Sequence, residues 1–124
     1  MPRVLIVDDS PTEIFQISNV LTRNGYDIVT AASAEQGLKM AREQMPDLVL
    51  MDIVMPGLNG YQATRQLSRD PQTGAIPVII LTTKNQETDR VWGERQGAKG
   101  FLTKPVDEAL LVATMKRVLA EAGR

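Results

Sequence analysis

Three uninterrupted apolar runs constrain this chain most: Val4–Val7, Leu48–Met51 and Val78–Leu81 consist only of Val, Ile, Leu and Met. A strand with one wet face alternates apolar and polar residues, so continuous runs of this length fit strands covered on both faces. The predicted strands are Arg3–Val7, Asp47–Met51 and Pro77–Leu81, and they run into Asp8-Asp9, Asp52 and Thr82-Thr83. Asp27–Ala32 and Phe101–Thr103 read as two further strands.

Helical signals separate the strands. Ser10-Pro11-Thr12-Glu13 places a hydroxyl at the N-cap, proline at the first helical position and Glu three residues after the cap, the pattern of a capping box. Ile14, Ile17 and Leu21 follow at helical spacing, and Gly25 reads as a left-handed residue ending that helix. Ser33 with Gln36 predicts a second capping box, ahead of a helix that carries Leu38 and Ala41 and is stopped by Pro46. A loop holding Pro56 and Gly57 leads to a helix through Tyr61, Thr64 and Leu67, closed by the polar connection Arg69–Ala75. Gln86–Gln96 is helical in composition, and Asp107 caps a last helix with Leu111, Met115, Val118 and Ala122 on one face. Five strands alternating with five helices predict an α/β fold whose parallel sheet is covered on both faces. In such sheets ligands bind at the carboxyl ends of the strands, beside the point where strand order reverses.

The length, 124 residues, suits one domain. With 14 Lys and Arg against 15 Asp and Glu, the chain has no electrostatic footprint for nucleic acid or an anionic membrane. It contains no Cys and no His, which removes disulfides, thiolate and imidazole nucleophiles and every metal site built on those ligands. No run approaches the roughly 18 apolar residues of a membrane span. The chain reads as a cytoplasmic protein.

The chemistry must therefore come from carboxylates, hydroxyls, lysine and backbone, and the strand ends supply them. Asp8, Asp9, Asp52, Thr82 and Lys104 all fall at one edge of the predicted sheet. Three carboxylates held together repel one another unless a cation joins them. All-oxygen ligation suits Mg²⁺, with Mn²⁺ the alternative, and Mg²⁺ in turn favours phosphate oxygens as partners. A carboxylate can itself be the nucleophile toward a phosphoryl group.

VLIVDDS, VLMDIVMPGLNG, IILTT and GFLTKP, in that order and at those strand ends, resemble the receiver domain of two-component response regulators over essentially the whole chain. The resemblance implies a (βα)5 doubly wound, five-stranded parallel sheet of flavodoxin/CheY-like type with helices on both faces. It makes Asp52 the phosphoacceptor and Asp8, Asp9 and Asp52, with the backbone carbonyl of Val54, the Mg²⁺ ligands. Thr82 becomes the switch hydroxyl, Lys104 the phosphate-pairing amine, Lys104-Pro105 a cis peptide and Phe101 the switch aromatic. SPTE, MDIVMPGLNGYQATRQLSRD and TTKNQETDRVWGERQGAKGFLTKPVDE further resemble the stand-alone regulators of type IV pilus twitching motility.

On this reading residues 1–124 form a single receiver domain with no output domain. A histidine kinase of chemotaxis type phosphorylates it, and a surface change is read by a downstream protein target. The face expected to change combines Gln86–Gln96, Phe101–Thr103 and the last helix. The apolar side of that last helix serves the core and leaves a monomer or weak dimer. Plainer readings compete residue by residue: Asp8-Asp9 as a polar strand end, Asp52 as a turn residue, Lys104 as a solvated lysine and Phe101 as plain core. Trp92 reads either as half-packed or as a partner anchor, and Gly93 weakens its helix. Two other functions compete, a Mg²⁺-dependent aspartyl-phosphate phosphohydrolase and a receiver-like docking subunit that is never phosphorylated. The first, if it worked as haloacid-dehalogenase-like enzymes do, would place its nucleophile after the first strand as D-x-D, whereas Asp52 follows the third.

Overall fold

A computed structural model describes all 124 residues. Strands β1 (Arg3–Val7), β2 (Asp27–Ala31), β3 (Leu48–Met51), β4 (Val78–Thr82) and β5 (Gly100–Thr103) alternate with helices α1 (Pro11–Arg23), α2 (Ala34–Gln44), α3 (Gly60–Arg69), α4 (Glu87–Arg95) and α5 (Glu108–Glu121). All strand pairs are parallel, in the order β2-β1-β3-β4-β5. The chain moves outward from β1 to β2, returns to β3 on the other side of β1, and continues to β5. The reversal therefore lies between β1 and β3.

Alternation along the strands divides the core into two layers. Val4, Ile6, Leu48, Leu50, Ile79 and Leu81 pack with Leu21 of α1 and with Leu111, Met115 and Val118 of α5. Leu5, Val7, Val49, Met51 and Val78 face the other way, against Leu38 and Ala41 of α2 and Ala63 and Leu67 of α3. Successive strand side chains point to opposite faces, so an uninterrupted apolar run is what a sheet covered on both sides requires. A third, smaller cluster of Ile53, Ile80 and Ala98 lies under α4, with Tyr61 and Phe101 packed against it.

The caps differ in detail from the sequence patterns. The Ser10 side chain accepts the Glu13 N–H at 3.3 Å, but the Ser10 N–H goes to Asp8 Oδ1 at 2.9 Å, so the box is half formed. Ser33 accepts from the Gln36 N–H, while the Gln36 side chain accepts from Ala32 at 2.7 Å, one residue before the cap. The full reciprocal box is at Asn59 with Gln62 on α3; on α4 only the Asp89 carboxylate closes the turn, accepting the Gln86 N–H at 3.2 Å. Strand bounds move by one residue: β2 ends at Ala31, β3 begins at Leu48, β4 spans Val78–Thr82 and β5 begins at Gly100. Ala122 is the exposed C-cap of α5 and leaves its apolar face, which is completed by Val112 and Leu119.

Candidate functional site

Backbone hydrogen bonds carry the sheet ladder one residue past the strand ends and hold the site residues. The Asp8 N–H donates to Ala31, the Asp52 N–H to Val7 and the Lys104 N–H to Thr82, at 3.1, 3.0 and 2.7 Å. Met51 is level with Ile80, so Asp52 and Thr82 leave the sheet one residue apart in register. Thr82 in turn is level with Thr103, immediately before Lys104. Four adjacent strands, β1, β3, β4 and β5, thus bring residues far apart in sequence to one edge.

Carboxylate oxygens of Asp8, Asp9 and Asp52 all lie within 4.8 Å of one another. The Lys104 ammonium donates to Asp8 Oδ2 at 2.6 Å and to Asp52 Oδ2 at 3.5 Å, and it sits 3.8 Å from Glu13. The Lys104 and Asp8 side chains are nearly enclosed, at 7 % and 6 % exposure, whereas Asp9 is exposed. Burial works against the ammonium, but the Asp8 hydrogen bond and the charges of Asp52, Asp8 and Glu13 outweigh it and hold the Lys104 pKa above its ordinary value. Asp52 Oδ1 accepts the N–H groups of Ile53 and Val54 at 2.7 and 3.4 Å. Its other oxygen, Oδ2, accepts no backbone N–H and lies 3.5 Å from the ammonium.

One lysine does not neutralise three carboxylates. The donor set is all oxygen, contains no imidazole or thiol, and opens to solvent at Asp9, so it fits a hard divalent cation that keeps part of its water shell. Thr82 is fully buried, and its Oγ1 accepts the Lys84 N–H at 3.4 Å. Thr83 is exposed and lines a groove with Glu13, Lys104 and Pro105. The Lys104-Pro105 peptide is cis. Phe101 is half-buried on the Ile53–Ile80–Ala98 cluster, and Trp92 is 50 % exposed between α3 and α4, with Arg95 5.9 Å from its ring centre. A separate cleft of about 380 Å³, between Ile76, Lys99 and Glu121, lies at the opposite edge of the sheet.

Some features of the site had weak or misread signals in the sequence. Glu13 reads as a capping residue, yet its carboxylate turns toward Lys104. Gly60 reads as loop, yet it packs directly on the backbone of Asp52 and Ile53. The available signal there is Asn59 followed three residues later by Gln62, which fixes Gly60 as the first helical residue.

Residues 4–116 match the family Response regulator receiver domain. The chain is 59 % identical over 120 residues to Protein PilH of Pseudomonas aeruginosa, covering 97 % of this chain and 99 % of that one. Other relatives are longer, and this chain spans from a quarter to about half of their length. Among solved structures, chemotaxis protein CheY4 of Vibrio cholerae superposes with a TM-score of 0.89 at 31 % identity, covering 95 % and 98 % of the two chains. The receiver domain of sensor histidine kinase PA1611 of Pseudomonas aeruginosa, which holds a magnesium ion in its active-site cleft, gives 0.88 at 30 % identity, covering 96 % and 98 %. Matched along nearly its whole length, and with carboxylates and lysine converging where its strand order reverses, this chain belongs to the response regulator receiver domain family.

Proposed function

We propose that Asp52 accepts a phosphoryl group from the phosphohistidine of a histidine kinase. The observation that carries this reading is the Asp8–Asp9–Asp52 triad within 4.8 Å, with the Lys104 ammonium against it. Asp8, Asp9, Asp52 and the Val54 carbonyl would hold Mg²⁺, which when bound neutralises charge on the transferring phosphoryl group. An Asp52 oxygen forms the new P–O bond as the P–N bond to the donor imidazole breaks, and the imidazole leaves with the electron pair and takes a proton. Lys104 offers its ammonium to the phosphoryl oxygens and so gives up part of its pairing with Asp8. Thr82 turns its hydroxyl toward the same oxygens, and Phe101 packs into the space released.

Residues 1–124 act as one receiver unit that catalyses only its own phosphorylation and dephosphorylation. The signal leaves through the α4–β5–α5 face to a protein target. A kinase of chemotaxis type, a cytoplasmic location and a role in type IV pilus twitching motility follow from the segments that resemble such regulators. The identity with PilH supports that subgroup. No helix is long and apolar enough to cross a membrane.

The test is intact mass after incubation with acetyl phosphate, with Mg²⁺ or EDTA, for the wild type and Asp52→Asn. One Mg²⁺-dependent phosphoryl adduct, absent from the variant, is expected. A folded, Mg²⁺-binding chain that takes up no phosphoryl group would favour the docking subunit, and continuous phosphate release would favour the phosphohydrolase.

A further inference from the structure

Tyr61, the second residue of α3, touches both the phosphoacceptor's neighbourhood and the start of α4. Its ring packs on the Ile53–Ile80–Ala98 cluster, and the N–H of Ile53 donates to Asp52 Oδ1 at 2.7 Å. Its hydroxyl lies 3.1 Å from both the carbonyl oxygen and Oδ1 of Asp89 and donates to that pair. The second Asp89 oxygen accepts the Gln86 N–H at 3.2 Å and closes the first turn of α4. One carboxylate therefore caps α4 and ties it to α3.

Little else fixes this end of α4. The helix has nine residues and Gly93 is the only one buried, so side-chain packing contributes little to its placement. The connection from the site to α4 is short: Thr82 Oγ1 accepts the Lys84 N–H, and Gln86 is already the N-cap. A Thr82 hydroxyl that turns toward a phosphoryl oxygen loses its place for Lys84, and the displaced backbone pulls on Gln86. The Asp89 carboxylate, held from the other side by Tyr61, resists that pull.

We propose that Tyr61 is a positioning residue of the phospho-switch, whose hydroxyl holds Asp89 and the first turn of α4 in the unphosphorylated arrangement and so opposes switching. The inference rests on the phosphoacceptor reading of Asp52. A contact made in one state and weakened in the other is a coupling free energy, which must appear reciprocally in the affinity of the site for a phosphoryl group or its mimic.

The test compares the wild type with Tyr61→Phe, which keeps the ring on Ile53 and Ile80 and removes only the hydroxyl. Beryllium trifluoride with Mg²⁺ serves as the phosphoryl mimic, titrated by ¹⁹F NMR of bound fluoride. Hydrogen exchange of the Glu87–Arg95 amides is read in the same samples. The expected result is mimic binding tighter on the order of fivefold in Tyr61→Phe, with faster exchange of the α4 amides in the free variant. Unchanged or weaker mimic binding, even with a lower melting temperature, would make the tie purely structural and overturn the proposal. A wild type that binds no mimic overturns the phosphoacceptor reading itself, which keeps the two failures apart.

Discussion

Gly60 lies so close to the main chain of Asp52 that a Cβ at this position would overlap the Asp52 carbonyl oxygen, and the Gly60 N–H donates to Ile53 at 3.1 Å. The first turn of α3 is thereby seated on the backbone that presents the central carboxylate. The obstructing atom is a carbonyl oxygen one residue past β3, not the end of a flexible side chain, so the site cannot yield without moving the loop. Gly60→Ala is expected to lower stability by about 2–3 kcal/mol, at the upper end of overpacking costs, and to slow phosphoryl uptake. Urea denaturation and the acetyl phosphate mass assay measure the two effects. A variant as stable as the wild type would show that the loop relaxes freely.

Lys104 is the sole cation among the carboxylates, and its removal leaves Asp8 enclosed without its partner at 2.6 Å. Breaking a fully buried pair costs about 3–5 kcal/mol, and the open side of this site at Asp9 brings the expectation for Lys104→Met down to about 2 kcal/mol in EDTA. Mg²⁺ should recover most of that loss, because the divalent ion replaces the missing charge. Mg²⁺ affinity should rise severalfold as Asp8 is freed from the ammonium, while phosphoryl uptake falls. Denaturation in EDTA and in Mg²⁺ reads the first effect. A destabilisation that Mg²⁺ leaves untouched would mean that Lys104 acts mainly through packing.

Most of the architecture was legible because the physics is local and repeated. The apolar runs ending at Asp8-Asp9, Asp52 and Thr82 identify doubly covered strands, and the strand ends with Lys104 point to one edge. What was not legible depends on contacts between distant elements. Glu13 has the sequence position of a capping residue, but the Ser10 N–H is already taken by Asp8, which leaves the Glu13 carboxylate to reach Lys104. The tie between Tyr61 and Asp89 spans 28 residues and follows no periodicity. Gly93 reads as a helix weakener, and only the packing of α4 on β4 shows why a side chain has no room there.

Alkaline stability should carry the signature of Tyr61. Burial, the Asp89 hydrogen bond and the Asp89 charge push its phenol up to about 12. An unfolded tyrosine ionises near pH 10, so between about pH 10 and 12 the folded chain retains a proton that the unfolded chain has lost. The stabilisation is full below pH 10 and disappears as pH rises through that window. Tyr26, raised by burial, and Lys104 act with the same sign. Tyr61→Phe should therefore lose stability less steeply above pH 10 than the wild type, as read by urea midpoints across that range. Parallel curves would show that the phenol ionises normally in the folded chain.

The α4 helix should be the least protected of the helices, for a reason that also fixes what a substitution at Gly93 does. Its apolar side chains Val91 and Trp92 are exposed, whereas α1 and α5 bury Ile17, Leu21, Leu111 and Met115 in the main core. A Cβ on Gly93 would come 2.7 Å from Ile80 Cδ1 and 3.4 Å from the Phe101 ring. Helix propensity alone favours alanine over glycine by about 1 kcal/mol. Ile80 is fully buried, so its Cδ1 can give way only by repacking against the close-packed Ile53, Ala98 and Phe101 around it, and that cost is expected to exceed the gain in propensity. Gly93→Ala is expected to destabilise the chain by about 1 kcal/mol net and to accelerate exchange of the α4 amides. In the wild type those amides should already exchange faster than their counterparts in α1 and α5. Equal protection across the three helices, or a stabilised Gly93→Ala, would show that α4 is held by its backbone and caps strongly enough to tolerate displacement from the sheet.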